Sequence, residues 1–426
     1  MNALIWFRND LRLQDNYLLE VAKAFDNIYG LYIFDDREFS EHALGFKKTG
    51  SFRASFLIES VSVLDKNMAG QLIVRHGSPV PIIIELAKKL NIQTVLASKE
   101  VTDEEVKIEK ELKAKLSYKQ IDLKLLWQST LYHIEDLPIP VSELPDVFTQ
   151  FRKAVEKKST VRETVATQAT FTEIPEHIEK GRIPDLTGLG YEPIEADTRA
   201  AVKFEGGEGA AMERLRHYFW DTKSLSKYKY TRNGLIGPDY SSKFSPWLSL
   251  GCISPRTIFE EVKNYEKQII KNSSTYWLVF ELIWRDYFRF VAHKYGCKIF
   301  QFTGLKGRQK YLYDHPHYFN KWTNGETGVD FIDANMIELR DTGFMSNRGR
   351  QNVAGFLVHD LEVNWTWGAA YFESQLVDYD PCSNWGNWCY IAGVGNDPRE
   401  DRYFNIEKQA NNYDPDGSYR RLWLSP

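Results

Sequence analysis

The stretch ALIWFRNDLRLQDN, residues 3–16, decides the fold of the N-terminal part of the chain. It joins a short apolar run to a charged loop, and a segment with helical spacing follows. The same alternation continues to about residue 130. Further apolar runs lie at 28–34, 71–75, 94–97 and 123–127, and helix-like segments lie at 17–25, 52–68, 80–90 and 104–116. This spacing predicts an α/β domain with a doubly wound parallel sheet over residues 1–130.

The loops that follow the first two apolar runs, 8–16 and 35–40, should lie at the carboxyl ends of strands. Folds of this kind bind ligands at that edge. The sequence has no GxGxxG after the first strand and no GxxxxGK[ST] anywhere. Nucleotide binding by a Rossmann glycine loop or a P-loop is therefore disfavoured.

The remainder of the chain divides into a connector and a helical domain. Six of the 16 prolines fall between residues 138 and 193, and this predicts a long connector over 131–208. The spacing after residue 209 is helical, which predicts an all-α domain over 209–426. Its helices are expected near 210–220, 255–269, 275–293, 330–342, 348–361 and 368–377.

The composition restricts the function classes. The 426 residues carry 54 Lys and Arg against 58 Asp and Glu, so the net charge of −4 gives no general attraction to polyanions. Four cysteines without a CxxC pair disfavour a disulfide scaffold and a zinc site, and we expect no metal. No signal peptide or membrane span is recognisable, which favours a cytoplasmic protein. The 12 Trp, 23 Tyr and 25 Phe suit either an aromatic core or a flat aromatic ligand with electron transfer between rings.

The segment SSKFSPWLSLG, residues 241–251, carries the first chemical signal. Ser245 before Pro246 predicts a capped helix start. The free N–H groups of a helix start, with Ser241, Ser242 and Lys243 beside them, suit a diphosphate. An ordinary capped helix is the alternative.

A second signal is the helix WLVFELIWRDYFRF, residues 277–290, which is apolar nearly all round and should be buried. Glu281, Trp284, Arg285 and Phe288 share one of its faces. Glu281 and Arg285 could form a plain helical salt bridge. A buried carboxylate beside a tryptophan nevertheless needs polar partners, which favours a pocket.

Two further segments carry polar clusters. GFMSNRGRQN, residues 343–352, places two amides, Asn347 and Gln351, four residues apart, and includes Arg350, which could pair with the aspartates at 378–380 or with phosphate. VDYDPCSNWGNWCYIAGVGNDPRED, residues 377–401, is interrupted by Gly and Asn and should be irregular backbone that forms a site wall. Its candidate residues are Asp378, Asp380, Asn384, Trp388 and Tyr390.

Together, these segments resemble the photolyase/cryptochrome family, and most closely its DASH cryptochrome branch. The resemblance runs from about residue 4 to residue 423 and is carried by WFRNDLRLQDN (6–16), TRNGLIGPDYSSKFSPWLSLGCISPR (231–256), ELIWRDYFR (281–289), TGFMSNRGRQNVA (342–354), CSNWGNW (382–388) and GNDPREDRYFN (395–405). It implies an antenna-type α/β domain joined to a helical domain that holds FAD.

The resemblance also implies roles for individual residues. FAD would be bound by Tyr228, Ser241, Ser242, Lys243, Ser245, Arg285, Arg350, Asp378, Asp380 and Asn384. Asn384 would face flavin N5. A flipped pyrimidine dimer would be received by Glu281, Trp284, Asn347 and Gln351. Trp388 and Trp365 would supply electrons to the flavin, but Leu312 stands where a third tryptophan is usual, with Tyr311, Tyr313 and Trp322 as substitutes.

The implied activity is that of a deoxyribodipyrimidine photo-lyase, a carbon–carbon lyase that repairs cyclobutane pyrimidine dimers under blue light. Gln351 and Tyr390 replace a Met and a Trp of ordinary dimer photolyases, and the less apolar wall favours single-stranded DNA as partner. A monomer is favoured. A folate antenna, 5,10-methenyltetrahydrofolate, would lie near Glu100 to Glu104. The alternative is a blue-light photoreceptor without significant repair. A dark flavin reductase is disfavoured because no nicotinamide-binding fingerprint is present.

Overall fold

The structure is a computed structural model that describes residues 1–166, 169–396 and 403–425. The N-terminal domain is built on a five-stranded parallel sheet with strand order β3-β2-β1-β4-β5. The strands are β1 Asn2–Phe7, β2 Asn27–Phe34, β3 Leu72–His76, β4 Ile92–Ser98 and β5 Asp122–Leu126. The helices between them are α1 Tyr17–Ala22, α2 Ser51–Asn67, α3 Pro79–Lys89 and α4 Asp103–Tyr118. The predicted doubly wound α/β domain is confirmed.

Two apolar layers cover the two faces of this sheet. Alternate residues of β1 point to opposite sides, so Ile5 joins the large core shared with the helical domain and Leu4 joins a smaller core under α3 and α4. Both side chains are fully buried. Burial on both faces explains why the strands read as continuous apolar runs in the sequence.

The connector contains helix α5, Phe148–Lys158, and short 3₁₀ turns. The C-terminal domain is helical, as predicted. Its helices are α6 Glu208–Arg216, α7 Tyr228–Thr231, α8 Ser245–Ser249, α9 Pro255–Gln268, α10 Ser273–Tyr295, α11 Pro316–Asn324, α12 Asp330–Thr342, α13 Asn347–His359, α14 Trp365–Gln375, α15 Pro381–Ile391, α16 Ile406–Tyr413 and α17 Ser418–Leu424. No helix in the described ranges is long and apolar enough to cross a membrane.

The carboxyl edge of the sheet is occupied by the helical domain. Arg12, in the loop after β1, donates a 2.9 Å hydrogen bond to the Gly251 carbonyl. Just after β4, Glu100 accepts a buried 2.7 Å ion pair from Arg289 of α10. The switch point of the strand order lies between β1 and β4, where such sheets usually bind ligands. In this protein, that position docks the two domains.

One predicted element is wrong. The segment over 377–401 was expected to be irregular, but α15 runs from Pro381 to Ile391 within it. Asp380 caps this helix by accepting a 2.7 Å hydrogen bond from the Ser383 amide, and Pro381 follows at the first turn. Residues 397–402 of the same segment lie outside the described residues.

Candidate functional site

A cavity of about 510 Å³ lies in the helical domain between α10, α13, α15 and the segment 241–245. Its volume is within the range of small-molecule and cofactor sites. The cavity wall contains every predicted site residue except Asn384 and the two electron-transfer tryptophans. The predicted residues that do line the wall are Tyr228, Ser241, Ser242, Lys243, Ser245, Glu281, Trp284, Arg285, Asn347, Arg350, Gln351, Asp378 and Asp380. The structure therefore brings together four sequence segments that were identified separately.

One end of the cavity carries hydroxyl groups and a buried ammonium. Lys243 is 3% exposed and lies over the Tyr240 ring, with its Nζ 3.1 Å from the ring centroid. Its Nζ also donates a 3.3 Å hydrogen bond to the Gly237 carbonyl. Burial, with the positive charge of Arg214 as a second cause, lowers the pKa of Lys243 to about 6. An anionic ligand at this end would favour the charged form.

The predicted role of Ser245 as a helix cap is wrong. Helix α8 begins at Ser245 itself, its cap position is Phe244, and no side chain caps it. This helix has only five residues, so its dipole offers little to an anion. The hydroxyl of Ser245 still lines the cavity. The donors at this end are therefore side chains of the segment 241–245 more than a helix terminus.

Arg214 of α6 holds that segment in place, and its role was missed from the sequence. Its Nε donates to the Ser242 carbonyl at 3.0 Å, and its Nη2 donates to the carbonyls of Ser241 and Pro238 at 3.1 and 2.9 Å. Its Nη1 pairs with Asp239 at 2.9 Å. One buried guanidinium thus fixes four residues of the loop. Nothing in the local sequence around Arg214 identifies this loop as its partner.

Two carboxylates, Asp378 and Asp380, line the wall. Asp378 pairs with Arg350 at 2.9 Å, so the acidic partner that the sequence suggested for Arg350 is present. Its other oxygen, Oδ1, is buried without a hydrogen-bond partner in the structure. A buried polar atom without a partner is costly, which indicates that a ligand with a donor group belongs there. The side-chain hydroxyls, the ammonium of Lys243 and this carboxylate fit a flavin dinucleotide.

Asn384 lies on α15 next to the cavity but does not form part of its wall. It is 8% exposed, and its amide nitrogen donates a 2.9 Å hydrogen bond to the Ala369 carbonyl. This bond fixes which end of the amide is the acceptor. The neighbours Ser383 and Asn387 do line the cavity, although the sequence did not single them out.

The other end of the cavity combines a carboxylate with aromatic rings. Glu281 forms an ion pair with Arg232 at 3.0 Å and none is found with Arg285, which donates instead to the carbonyls of Ser129 and Leu248. The plain helical salt bridge is therefore absent. Burial raises the pKa of Glu281, and the positive charge of Arg232 opposes that shift.

Trp284 is stacked on one side by a residue of the connector. The rings of Trp284 and Phe148 are nearly parallel, at 12°, with centroids 3.6 Å apart. The Tyr390 ring meets Trp284 edge-on at 6.1 Å. Phe148 fixes the plane of Trp284, and no sequence pattern predicts this contact between residues 136 positions apart.

Two amides complete this end of the wall. Asn347 and Gln351 lie one turn apart near the start of α13, which Ser346 caps by accepting a 3.0 Å hydrogen bond from the Gly349 amide. Gln351 Oε1 accepts a 2.9 Å hydrogen bond from Arg348. This bond orients the amide of Gln351, so its nitrogen is the end that remains for a ligand.

Behind the cavity, buried tryptophans form two pairs. Trp388 meets Trp322 with ring centroids 6.2 Å apart, and Trp365 meets Trp385 at 5.9 Å. Gly368 of α14 lets Trp388 approach, because an added Cβ would come within 2.3 Å of the indole. Of the three suggested substitutes for the missing third tryptophan, Trp322 contacts Trp388, one of the two predicted electron-transfer tryptophans. Tyr311 and Tyr313 are 88% and 52% exposed.

An α/β domain docked on a helical domain, with a cavity of this shape and donor set, defines a flavoprotein of the DNA photolyase type. Residues 3–175 match the family described as DNA photolyase, and residues 277–426 match the FAD-binding domain of DNA photolyase. The chain belongs to the photolyase/cryptochrome family, in its cryptochrome DASH branch.

Similar proteins cover nearly the whole chain. Cryptochrome DASH of Gloeobacter violaceus is 48% identical over 99% of this chain and 85% of its own length. The chloroplastic/mitochondrial cryptochrome DASH of Arabidopsis thaliana is 49% identical over 99% of this chain and 75% of its own length. The crystal structure of the Synechocystis sp. PCC6803 cryptochrome superposes with a TM-score of 0.96 at 48% identity, covering 99% of this chain and 88% of that one. The cytoplasmic location stays a prediction.

Proposed function

We propose that this protein repairs cyclobutane pyrimidine dimers under blue light, with a preference for single-stranded DNA. The observation that carries the proposal is the cavity described above. Its walls hold a diphosphate-type end at Lys243 and an aromatic, amide-lined end at Trp284. A cofactor and a base can therefore share one cavity. A shared cavity matters because the cofactor supplies the difficult chemistry and the protein supplies position and electrostatics.

FAD, when bound and reduced, would supply the electron that opens the cyclobutane ring under light. The residues proposed to hold it are Tyr228, Ser241, Ser242, Lys243, Ser245, Arg285, Arg350, Asp378, Asp380 and Asn384. The Oδ1 of Asp378 would accept a hydrogen bond from the cofactor, because it lacks a partner in the structure. Asn384 would present its carbonyl oxygen, since its nitrogen is already bonded to Ala369.

Trp284 and Glu281 would act on the dimer itself. Trp284 lines the cavity and would stack on a base there. Glu281 in its protonated form would donate a hydrogen bond to the negatively charged dimer, and its raised pKa supports that form. Arg232 would first have to leave Glu281, and a DNA phosphate is a suitable new partner for its guanidinium. Asn347 and Gln351 would bond base edges.

The source of the electron for oxidised FAD is proposed to be Trp388 and then Trp365. Both indoles are buried, at 2% and 0% exposure, on adjacent helices α15 and α14. Burial protects an oxidised ring from water and from side reactions. This supply route is separate from the proposed route between flavin and dimer.

A folate antenna remains a proposal that rests on the family resemblance. Glu100 pairs with Arg289 and Glu104 pairs with Lys48, so both predicted carboxylates already have cation partners. Burial and the like charge of Glu100 raise the pKa of Glu105. A raised pKa favours the protonated form, which offers a donor and an acceptor to a pterin ring, so we propose that a folate near Glu100 to Glu104 also contacts Glu105. Replacing Glu105 by Ala should remove folate, but not FAD, from the purified protein, as measured by chromatography of the released cofactors.

The preference for single strands follows from the cost of extruding a dimer. Taking a dinucleotide out of a duplex costs a few kcal/mol of pairing and stacking, and single strands avoid most of it. Apolar burial in the pocket could offset this cost, but Gln351 and Tyr390 add polar groups to the wall. The net charge of −4 gives little general attraction to duplex phosphates.

The test is the initial repair rate of the reduced protein under blue light, with one dimer in matched single-stranded and duplex oligonucleotides at fixed salt. We expect the single-stranded substrate to be repaired much faster. The variant Gln351→Met should narrow the difference in repair rate between the single-stranded and duplex substrates, because it adds apolar surface to the pocket. The control variant Gln150→Met, on the exposed side of α5, should leave this difference in rate unchanged. Equal rates in the wild type would refute the preference. Absence of repair on both substrates would favour the photoreceptor without repair.

A further inference from the structure

A chain of contacts leads from Trp365 through a second tryptophan to a tyrosine. Leu312, at the usual third position, carries no group that can be oxidised easily. In the described part of the chain, the ring that contacts Trp365 is that of Trp385, at 5.9 Å and 75°. Trp385 is 8% exposed. The aromatic contact that begins at Trp365 therefore leads to a buried ring and not to the solvent-exposed surface.

The indole nitrogen of Trp385 approaches two oxygens at once. Its Nε1 donates to the Tyr379 hydroxyl at 3.2 Å and to Glu373 Oε2 at 3.4 Å. The hydroxyl of Tyr379 in turn hydrogen-bonds Glu373, which is one of the causes that lower the pKa of that carboxyl. A tryptophan, a phenol and a carboxylate thus form one contiguous set on α14 and α15 and the turn between them.

The surroundings of Tyr379 favour loss of the phenolic proton when the ring is oxidised. The Arg53 guanidinium lies over the Tyr379 ring, 4.5 Å from its centroid, and so disfavours a positive charge on that ring. Burial raises the pKa of Glu373 above that of an ordinary carboxyl. A carboxylate with a raised pKa is a better proton acceptor. Glu373 is therefore placed to take the phenolic proton as the electron leaves.

We propose that Tyr379 is the terminal electron donor of the flavin supply chain, with Trp385 as the relay and Glu373 as the proton acceptor. The inference rests on the proposed function for its first steps, in which Trp388 would give an electron to bound, oxidised FAD under light and Trp365 would replace the electron that Trp388 has lost. One electron then passes from Tyr379 through Trp385 to Trp365, and the phenolic proton passes to Glu373. A neutral tyrosyl radical remains. An external thiol later returns one electron to it, while Glu373 returns the proton and the thiol proton goes to solvent.

The test is flash illumination of the FAD-containing protein, followed by electron paramagnetic resonance and transient absorption. The wild type should show a tyrosyl radical, and Tyr379→Phe should lose that signal and stop at a tryptophan radical. Tyr379 is not part of the cavity wall, so the variant should keep its FAD. Tyr118→Phe, at a side chain that is 91% exposed in the other domain, is the matched control and should behave as the wild type.

Two further measurements separate the possible failures. Glu373→Gln should slow formation of the tyrosyl radical and reduce its solvent isotope effect, which a purely structural role of Glu373 would not do. A spin trap should label the peptide containing Tyr379 in the light and not in the dark. A tyrosyl signal that survives in Tyr379→Phe, or that is lost in Tyr311→Phe, would overturn the relay. Unchanged photoreduction in Trp388→Phe would instead overturn the tryptophan chain of the proposed function.

Discussion

Replacing Arg214 by alanine should weaken FAD binding far more than it weakens the fold. The guanidinium holds residues 238–242 by three hydrogen bonds to carbonyls and one ion pair, all between 2.9 and 3.1 Å. Hydrogen bonds that involve a charged group contribute about 1.5–3 kcal/mol each. If only two of these four interactions contribute, each at the lower value, their loss destabilises the ordered loop by about 3 kcal/mol relative to disordered conformations. FAD binds the ordered loop, so its apparent affinity should fall by about 100-fold.

The assay is titration of the flavin-free protein with FAD, followed by flavin fluorescence, together with thermal unfolding of the same samples. Arg214→Lys should fall between the wild type and the alanine variant, since one ammonium cannot reach three carbonyls. Arg216→Ala is the matched control, because that side chain is 63% exposed and pairs only with Asp221 among the described residues. FAD binding by Arg214→Ala with wild-type affinity would refute the reasoning.

Three other predictions follow from the cavity and the rings beside it. Because the pKa of Lys243 is about 6 without a ligand and a diphosphate favours its charged form, FAD binding should take up a proton. FAD affinity should therefore fall as the pH rises above about 6, and Lys243→Met should remove this dependence in titrations between pH 6 and 9. Phe148→Leu should raise the KM for repair by up to about tenfold with little change in kcat, since a stacked ring contributes about 0.5–1.5 kcal/mol; an unchanged KM would contradict its role in holding Trp284. Trp388→Phe should slow photoreduction of oxidised FAD and spare repair by pre-reduced protein, measured separately by absorbance and by dimer loss.

The fold could be predicted largely because buried parallel strands are apolar on both faces. Five apolar runs separated by helical spacing admit few other arrangements. Helix α15 was missed because glycine and asparagine have low helix propensity. The structure explains why one of these glycines, Gly386, is present within the helix. A Cβ on Gly386 would lie 2.4 Å from Phe288, so close packing against α10 requires glycine there. The start of this helix was nevertheless visible in the sequence as Asp380 followed by Pro381.

The sequence predicts the residues of the cavity wall better than the residues that hold that wall in position. The cavity wall was assembled from segments whose residues carry recognisable chemistry, such as the serines at 241–245 and the carboxylates at 378 and 380. Arg214 and Phe148 carry no such signal, because an arginine in a helix and a phenylalanine in a connector are ordinary residues. Their functions depend on partners that only the folded chain brings near. Sequence patterns identify groups that touch a ligand more readily than the groups that hold them.

Helix α10 shows how the two domains share one site. Its cavity face carries Glu281 and Trp284, and its other side carries Asp286 and Arg289, which bind the N-terminal part of the chain. Asp286 accepts hydrogen bonds from two backbone amides of the connector, and burial raises its pKa to about 7. Buried charges add little net stability, because desolvation offsets most of their attraction, but losing one partner is strongly unfavourable. Their main effect here is to fix the rotation of α10, so docking of the α/β domain determines where Glu281 and Trp284 point.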